Sequence, residues 1–173
     1  MLSRPEFEAL FDAFAESAWR LETQPAYDEP EEREPLRRWL AGEPDDLAWM
    51  ADWWTWIRDI TQAGKWFGRV RVVYDPPSDY QRYELGVLTP PAVDAGEVIR
   101  VLPVAHAREL QMPEQDFWLF DNARVAVLHF GPDGVAGVEL IEDAAAVRPF
   151  RDARDRAWDA SIDYDEWASM NAP

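Results

Sequence analysis

Alternation of polar and apolar residues marks a strand most clearly between residues 69 and 74, where arginines alternate with valines. Such period-two alternation predicts a strand with one buried face. The same alternation over residues 18–23 predicts a second strand, which Pro25 ends. Four short apolar runs predict four more strands. They lie at residues 98–102, 117–120, 124–130 and 135–141.

Apolar residues spaced three and four apart predict the helices. One helix is predicted over residues 4–16, opened by a capping box between Ser3 and Glu6. A longer helix is predicted over residues 45–63, because its tryptophans and isoleucines share one stripe. Further helices are predicted within residues 28–41, over residues 78–87 and 105–110, and from about residue 143 onward.

This order of elements predicts a single α/β domain over residues 1–173. Strands separated by helices favour parallel pairing, whereas the closely spaced strands after residue 116 favour an antiparallel meander. We therefore expect a mixed parallel and antiparallel sheet flanked by helices. Residues 24–63 are predicted to form a helical insertion on the surface, since their first half is highly charged.

The chain is strongly acidic, with 34 acidic and 17 basic residues and a formal net charge of −17. Nucleic acids and anionic membranes bind cationic surfaces, so we expect neither as a direct partner. An acidic surface either keeps the protein soluble or attracts a basic protein partner. No apolar run reaches the length of a membrane span or of a signal peptide, so we expect a cytoplasmic protein.

The residues that usually build metal and cofactor sites are sparse. Cysteine is absent, and neither His106 nor His129 has a second histidine or an acid at ligand spacing. The chain also contains no glycine-rich phosphate loop and no nucleophile elbow. We therefore expect no metal, no cofactor and no catalytic residue of these types.

Charged side chains share one face of the predicted strands. Alternation places Arg20 and Glu22 on one side of their strand and Arg69 and Arg71 on one side of theirs, while Arg100 lies on a third strand. If these strands are neighbours, the residues form an ordinary lattice of cross-strand ion pairs. Alternatively, they line a cleft that binds a small anion through guanidinium groups. Both interpretations stay open.

The loop after the strand at residues 69–74 leads directly into a helix. Ligands of open α/β sheets bind outside the carboxyl ends of strands, and free amides at a helix start favour an anion. Ser78 at this start is equally explained as a helix cap. The predicted ligand-binding residues are therefore Arg20, Glu22, Arg71, Ser78, Asp79, Tyr80 and Arg82.

Segments spread over nearly the whole chain carry a family resemblance. They lie at residues 7–12, 20–23, 69–73, 78–80 and 116–121, and around Trp158. Together they resemble an actinobacterial family known as domain of unknown function 6879. Members of that family tend to be encoded near small helix-turn-helix regulators. The resemblance implies a regulatory context, with such a regulator as the basic protein partner, and brings no established activity.

A second resemblance is to the C-terminal part of a phospholipase D-like domain. It is carried by residues 117–130 and 138–141, by Asp143 and by the helix that contains Trp158. In that superfamily a histidine attacks the phosphodiester, a lysine two positions later stabilises the phosphate, and an aspartate follows five positions further on. With Asp121 at the aspartate position, Glu114 takes the histidine position and Asp116 the lysine position. A carboxylate is a poor replacement for the nucleophile, and a second carboxylate repels the phosphate. The resemblance implies a phospholipase D-like fold without catalysis.

These observations lead to three hypotheses. The first is a non-catalytic regulatory or binding protein, whose ligand is a small anion or the surface of a helix-turn-helix regulator. The second is a hydrolase or phosphodiesterase with a cleft at the sheet edge. Its residues would be Glu22, Asp79 or Glu84 with Arg71 or Arg82. The third is a homodimerisation module, with exposed Trp54 or Trp66 at the contact.

Overall fold

The computed structural model describes residues 1–171, which form one seven-stranded sheet flanked by helices. The strands are β1 (Ser17–Glu22), β2 (Trp66–Val73), β3 (Val98–Pro103), β4 (Phe117–Phe120), β5 (Arg124–Gly131), β6 (Gly134–Ile141) and β7 (Ile162–Asp163). The helices are α1 (Arg4–Ala13), α2 (Pro30–Leu40), α3 (Ala51–Gln62), α4 (Asp79–Tyr83), α5 (Thr89–Asp94), α6 (Val104–Glu109), α7 (Ala144–Ala160) and α8 (Tyr164–Asn171). A 3₁₀ turn at Ala48–Met50 precedes α3, and a π-helical turn at Glu84–Leu88 joins α4 to α5.

Parallel and antiparallel strands are combined in the sheet, whose order is β6-β5-β4-β1-β2-β3-β7. Strands β1, β2 and β3 pair in parallel, and helices connect them. Strands β4, β5 and β6 pair antiparallel and join the sheet beside β1. The predicted mixed α/β sheet flanked by helices is confirmed.

Both faces of the sheet are buried under helices. One face packs against α6 and α7, with Leu119 and Val127 of the sheet against Ala153 of α7. The other face packs against α1 and α3, with Ala18 and Phe67 in the same cluster as those helices. Because side chains alternate along a strand, the charged residues of β1 and β2 share the face of Ala18 and Phe67. We call this second face the site face.

Local sequence explains the start of α1 and the position of α3. The Ser3 backbone N–H and hydroxyl donate to the Glu6 carboxylate at 2.8 and 2.6 Å, so the predicted capping interaction is present. The long helix predicted over residues 45–63 is shorter, because Leu47 adopts a left-handed φ of 57°. Asp45 accepts a hydrogen bond from the backbone of Leu47, which holds the chain in a turn before α3 begins.

The end of the chain has more elements than the single helix predicted from residue 143. Helix α7 begins there, with Asp143 accepting from the backbone N–H groups of two following residues. Strand β7 and helix α8 then follow, and β7 pairs antiparallel with β3. A two-residue strand is too short to show alternation, which explains why the sequence pattern missed it. Within residues 1–171, no helix has both the length and the apolar character of a membrane span.

The segment predicted as a surface insertion, residues 24–63, holds α2 and α3. Helix α2 is largely exposed, whereas Ile57 of α3 is fully buried in the core of the site face. The predicted exposure of Trp54 and Trp66 is wrong. Both are half-buried, and the Trp66 ring packs edge-on against Trp158 with centroids 5.6 Å apart. The homodimer itself stays a prediction.

Candidate functional site

The site face carries a buried network of ion pairs centred on Glu22. Its Oε1 accepts from Arg20 Nη1 at 3.0 Å and from Arg69 Nη1 at 2.9 Å, and its Oε2 accepts from Arg71 Nε at 2.8 Å. The strand register explains this geometry, because Arg20 lies opposite Arg69 and Glu22 lies opposite Arg71. Burial alone would raise the pKa of Glu22, but the three guanidinium groups hold it well below its ordinary value.

Two more acids pair with the arginines of β2. Glu97, just before β3, accepts from Arg69 Nε at 2.5 Å. Glu84 opens the π-helical turn and pairs with Arg71 Nη1. Helical turns of this type are frequent at functional sites, and this one brings Glu84 to Arg71. Each β2 arginine is therefore held between two carboxylates.

Asp116 anchors the side of the network next to β4. Its fully buried carboxylate accepts from Arg20 Nη2 at 3.1 Å, from the Thr23 N–H at 2.8 Å and hydroxyl at 2.9 Å, and from Tyr27 Oη at 2.6 Å. Burial raises the pKa of the Tyr27 hydroxyl, and the charges of Glu22 and Asp116 raise it further. Asp116 thus fixes Arg20 and the end of β1 in one position.

A cavity of about 760 Å³ lies over this network. Its floor is formed by the charged residues of β1 and β2 and by Trp118 of β4. Aromatic side chains of α1, α3 and the turn before α3 form much of the wall. They are Phe7, Phe11, Trp49, Trp53 and Trp56, with Tyr27 and Tyr80 next to the network. The volume and the aromatic lining are typical of a small-molecule binding site.

The lining of the cavity is acidic, with eight acids against three arginines and hence a formal charge of −5. The acids are Glu8, Asp12, Glu22, Glu29, Glu32, Asp52, Glu84 and Glu97, and the arginines are Arg20, Arg69 and Arg71. Burial raises the pKa values of Glu29, Glu32 and Glu97. Despite this density of acids, no three acids or histidines among the 171 described residues are arranged to hold a metal ion.

Four of the seven predicted ligand-binding residues meet at the cavity. They are Arg20, Glu22, Arg71 and Tyr80. The other three lie outside its lining: Ser78 accepts from the Gln81 backbone N–H at 3.0 Å as a helix cap, and Asp79 pairs with Arg82 at the exposed surface. The start of α4 is therefore occupied by its own serine, as the simpler interpretation of Ser78 expected.

The prediction omitted several residues of the network. Arg69 lies on the same side of its strand as Arg71, so the alternation that indicates Arg71 as a ligand-binding residue also indicates Arg69. Glu97 and Asp116 precede their strands, so no alternation marked them. Tyr27 lies in a loop, where its contact with Asp116 depends on residues 89 positions apart in sequence.

Arg100, expected to join the same lattice, lies on the opposite face of the sheet. Its position in β3 gives it the orientation opposite to that of Ile99, which packs on the site face. Its Nε donates to Ser161 Oγ at 2.9 Å, and its guanidinium lies 4.9 Å from the Trp158 ring centroid. Arg100 therefore fastens the end of α7 to the sheet and does not contribute to the cavity.

Asp121, at the end of β4, has a structural role outside the cavity. Its carboxylate accepts from the backbone N–H groups of Ala15, Glu16 and Ser17 at 2.9, 2.7 and 3.0 Å. Burial alone would raise the pKa of Asp121, but these backbone donors and the charge of Arg124 lower it overall. Asp121 thus fixes the chain where it enters β1.

Replacing Asp121 with alanine is expected to lower the free energy of unfolding by about 1–3 kcal/mol, since three backbone donors lose their acceptor. Urea denaturation followed by tryptophan fluorescence measures this change. Asp159→Ala, at an exposed position of α7, is the matched control and should leave the midpoint unchanged. Equal midpoints for the two variants would contradict the structural role of Asp121.

A solved structure matches the predicted phospholipase D-like fold. The structure of NucT from Helicobacter pylori is similar to this chain with a TM-score of 0.51, over 92% of this chain and 91% of NucT. The sequence identity is 11%, so this similarity shows the fold alone. No functionally curated protein matches the chain in sequence.

The chain belongs to the family described as Domain of unknown function (DUF6879), whose model matches residues 5–169. The resemblance to the phospholipase D-like pattern predicts Glu114 and Asp116 at the positions of the histidine and the lysine. The Glu114 side chain is exposed and lies outside the lining of the large cavity, whereas Asp116 is buried within the network. The two side chains therefore do not converge on one site.

Proposed function

We propose that this protein is a non-catalytic binding protein whose cavity takes up a small organic cation with an apolar or aromatic body. The observation that carries this proposal is the lining of the cavity. It combines aromatic walls with more acids than arginines, eight against three. Opposite charges attract strongly where water is partly excluded, so this lining favours a cation.

A small anion, expected from the arginines of the strands, is disfavoured by the same charges. Every arginine of the floor already pairs with at least two carboxylates, and Glu22 is shared by all three. An anion would have to displace these carboxylates and would also meet the acids of the walls. The arginines therefore neutralise the floor. On the walls, Glu8 of α1 pairs with Arg4, whereas Asp12 of α1 and Asp52 of α3 have no ion-pair partner among residues 1–171.

The aromatic walls suit a cation for a second reason. The face of an aromatic ring attracts a cation placed within about 6 Å of its centroid. The cavity already holds one such arrangement, because the Arg20 guanidinium lies 5.4 Å from the Tyr27 ring centroid and 5.6 Å from that of Trp118. A ligand cation would find the same chemistry among the tryptophans of the walls.

Binding without catalysis is supported by the residues at the phospholipase D-like positions. Glu114 is in solvent, and Asp116 is occupied by four hydrogen bonds. The hydrolase hypothesis is disfavoured for related reasons. Glu22 is held by three arginines, and Asp79 is outside the cavity. Glu84 lines the cavity but is paired with Arg71. A regulatory role, with a helix-turn-helix regulator as the basic protein partner, stays a prediction.

The proposal is tested by isothermal titration calorimetry with a matched pair of small probes. Benzyltrimethylammonium is expected to bind in the cavity, whereas benzoate, which has a similar ring and the opposite charge, is expected not to bind. Benzoate binding as tight as that of the cation, or no binding of the cation, would contradict the proposal.

Two double variants with the same change of net charge locate the site. Asp12→Asn with Asp52→Asn removes two charges from the cavity wall and should weaken cation binding by about threefold. Asp152→Asn with Asp159→Asn removes two charges from exposed positions of α7 and should leave the affinity unchanged. An equal effect of the two pairs would show that the cation senses only the overall charge.

A further inference from the structure

One of the two carboxylate oxygens of Glu97 has no hydrogen-bond partner. Its Oε1 accepts from Arg69 Nε, whereas its Oε2 has no hydrogen-bond partner among the residues that the structure describes. The Glu97 side chain is only 1% exposed and belongs to the lining of the cavity. A buried acceptor without a hydrogen bond destabilises the protein, so a ligand that donates a hydrogen bond to it gains binding free energy.

The other acids of the network are held by arginines. Both oxygens of Glu22 accept from arginines, and both oxygens of Asp116, which lies outside the cavity lining, accept hydrogen bonds. Glu84 Oε2 also has no hydrogen-bond partner, but it lies in ionic contact with Arg71. Glu97 Oε2 is therefore a buried oxygen of the floor that can accept a further N–H group without breaking an existing hydrogen bond.

We infer that the cavity selects a planar cation that carries N–H groups, an amidinium or a guanidinium, and that Glu97 Oε2 is its acceptor. This inference rests on the proposed function and adds to it the chemical class of the ligand. A tertiary or quaternary ammonium would satisfy the charge of the cavity but would leave Glu97 Oε2 poorly paired or unpaired. A planar cation places its N–H groups in the plane of a carboxylate and its faces against aromatic rings.

The chemistry of the surrounding residues supports a planar cation over a compact ammonium. Guanidinium-type cations are more weakly hydrated than ammonium groups, so less hydration is lost when they enter an aromatic cavity. The cavity accommodates Arg20 in this way, with its guanidinium between Glu22, Asp116 and two aromatic rings. Burial raises the pKa of the Glu97 carboxyl group against the influence of Arg69, so a second positive group beside it would stabilise the carboxylate.

The first test compares probes on the unaltered protein and needs no variant. Benzamidinium is expected to bind about tenfold more tightly than benzyltrimethylammonium, because only benzamidinium donates N–H groups to a carboxylate. Neutral benzamide, which has nearly the same shape as benzamidinium, should bind more weakly than both cations. Equal affinities of the two cations would overturn the inference and leave the proposed function standing. If neither cation binds, both the inference and the proposed function are overturned.

The second test uses Glu97→Gln with Glu109→Gln, an exposed position of α6, as the matched control. Glu97→Gln should lower the affinity for benzamidinium by about tenfold and narrow the difference between the two cations. The control should change neither affinity. Equal losses for benzamidinium and benzyltrimethylammonium would show that Glu97 contributes only its charge, which contradicts the role of Oε2. Circular dichroism of each variant confirms that the comparison is made on folded protein.

Discussion

Replacing Glu22 with glutamine is expected to lower the free energy of unfolding by about 3–5 kcal/mol. The carboxylate is the shared acceptor of three guanidinium groups on two parallel strands, and it is almost fully buried. An amide offers one acceptor oxygen and turns N–H groups toward the arginines, so buried positive charges are left without a partner. Guanidinium chloride denaturation, followed by circular dichroism, measures the change.

The control for this variant is Glu31→Gln, which makes the same chemical change in an exposed ion pair with Arg4. Exposed pairs contribute little, so its denaturation midpoint should match that of the unaltered protein. A Glu22→Gln variant as stable as this control would contradict the central role of Glu22.

The stability difference between Glu22→Gln and the unaltered protein should also depend on pH. The arginines lower the pKa of Glu22 in the folded state, so its contribution is fully present above the ordinary glutamate pKa of about 4.3. It is lost as the pH falls through the lowered value. The difference between the two proteins should therefore shrink on acidification, and a constant difference from neutral to strongly acidic pH would contradict the assignment.

Replacing Asp116 with lysine, the residue of the phospholipase D-like pattern, is expected to destabilise the protein by about 3–5 kcal/mol. The substitution removes an acceptor of four hydrogen bonds and places an ammonium group beside Arg20. Thermal and chemical denaturation of the purified variant measure this effect. A variant of normal stability would show that Asp116 does not hold the network together.

Glu114→His provides the matched control at the other position of the pattern. Glu114 is exposed, so this variant should be as stable as the unaltered protein. Because Glu114 and Asp116 do not converge on one site, neither Glu114→His nor the double variant with Asp116→Lys should hydrolyse bis(p-nitrophenyl) phosphate. Turnover by the double variant would contradict the separation of these side chains.

The acids of the cavity divide into two groups with different tasks. Glu22 is saturated by arginines, as is Asp116 of the adjoining network by its hydrogen bonds, so both stabilise the sheet and fix the floor. Asp12 and Asp52 are exposed on the walls, where their negative charges attract a cationic ligand that enters the cavity. Glu97 lies on the floor, where one oxygen pairs with Arg69 and the other is the inferred acceptor of the ligand. This division is why the predicted effects on stability and on binding fall on different residues.

The sequence determined the local elements and the side of each strand on which its residues lie. Period-two alternation placed Arg20, Glu22, Arg69 and Arg71 on common faces, and the six longer strands were all recognised. It also determined the mixed sheet, because the spacing between strands decides which pairs need a helical crossover. Alternation and the spacing between strands can be read along the chain, so they predict the elements and the type of strand pairing, although the sheet itself joins distant segments such as β1 and β4.

Only the tertiary structure decided which charges meet and what they enclose. Arg20 reaches Asp116 across 96 positions of sequence, and Glu97 and Asp116 precede their strands, where no periodicity marks them. The orientation of Arg100 away from the site depended on where β3 begins its alternation. The acid excess of the cavity likewise arises from helices and loops that only folding brings over the sheet. Contacts of this kind are set by packing in three dimensions, and the order of residues along the chain does not encode them locally.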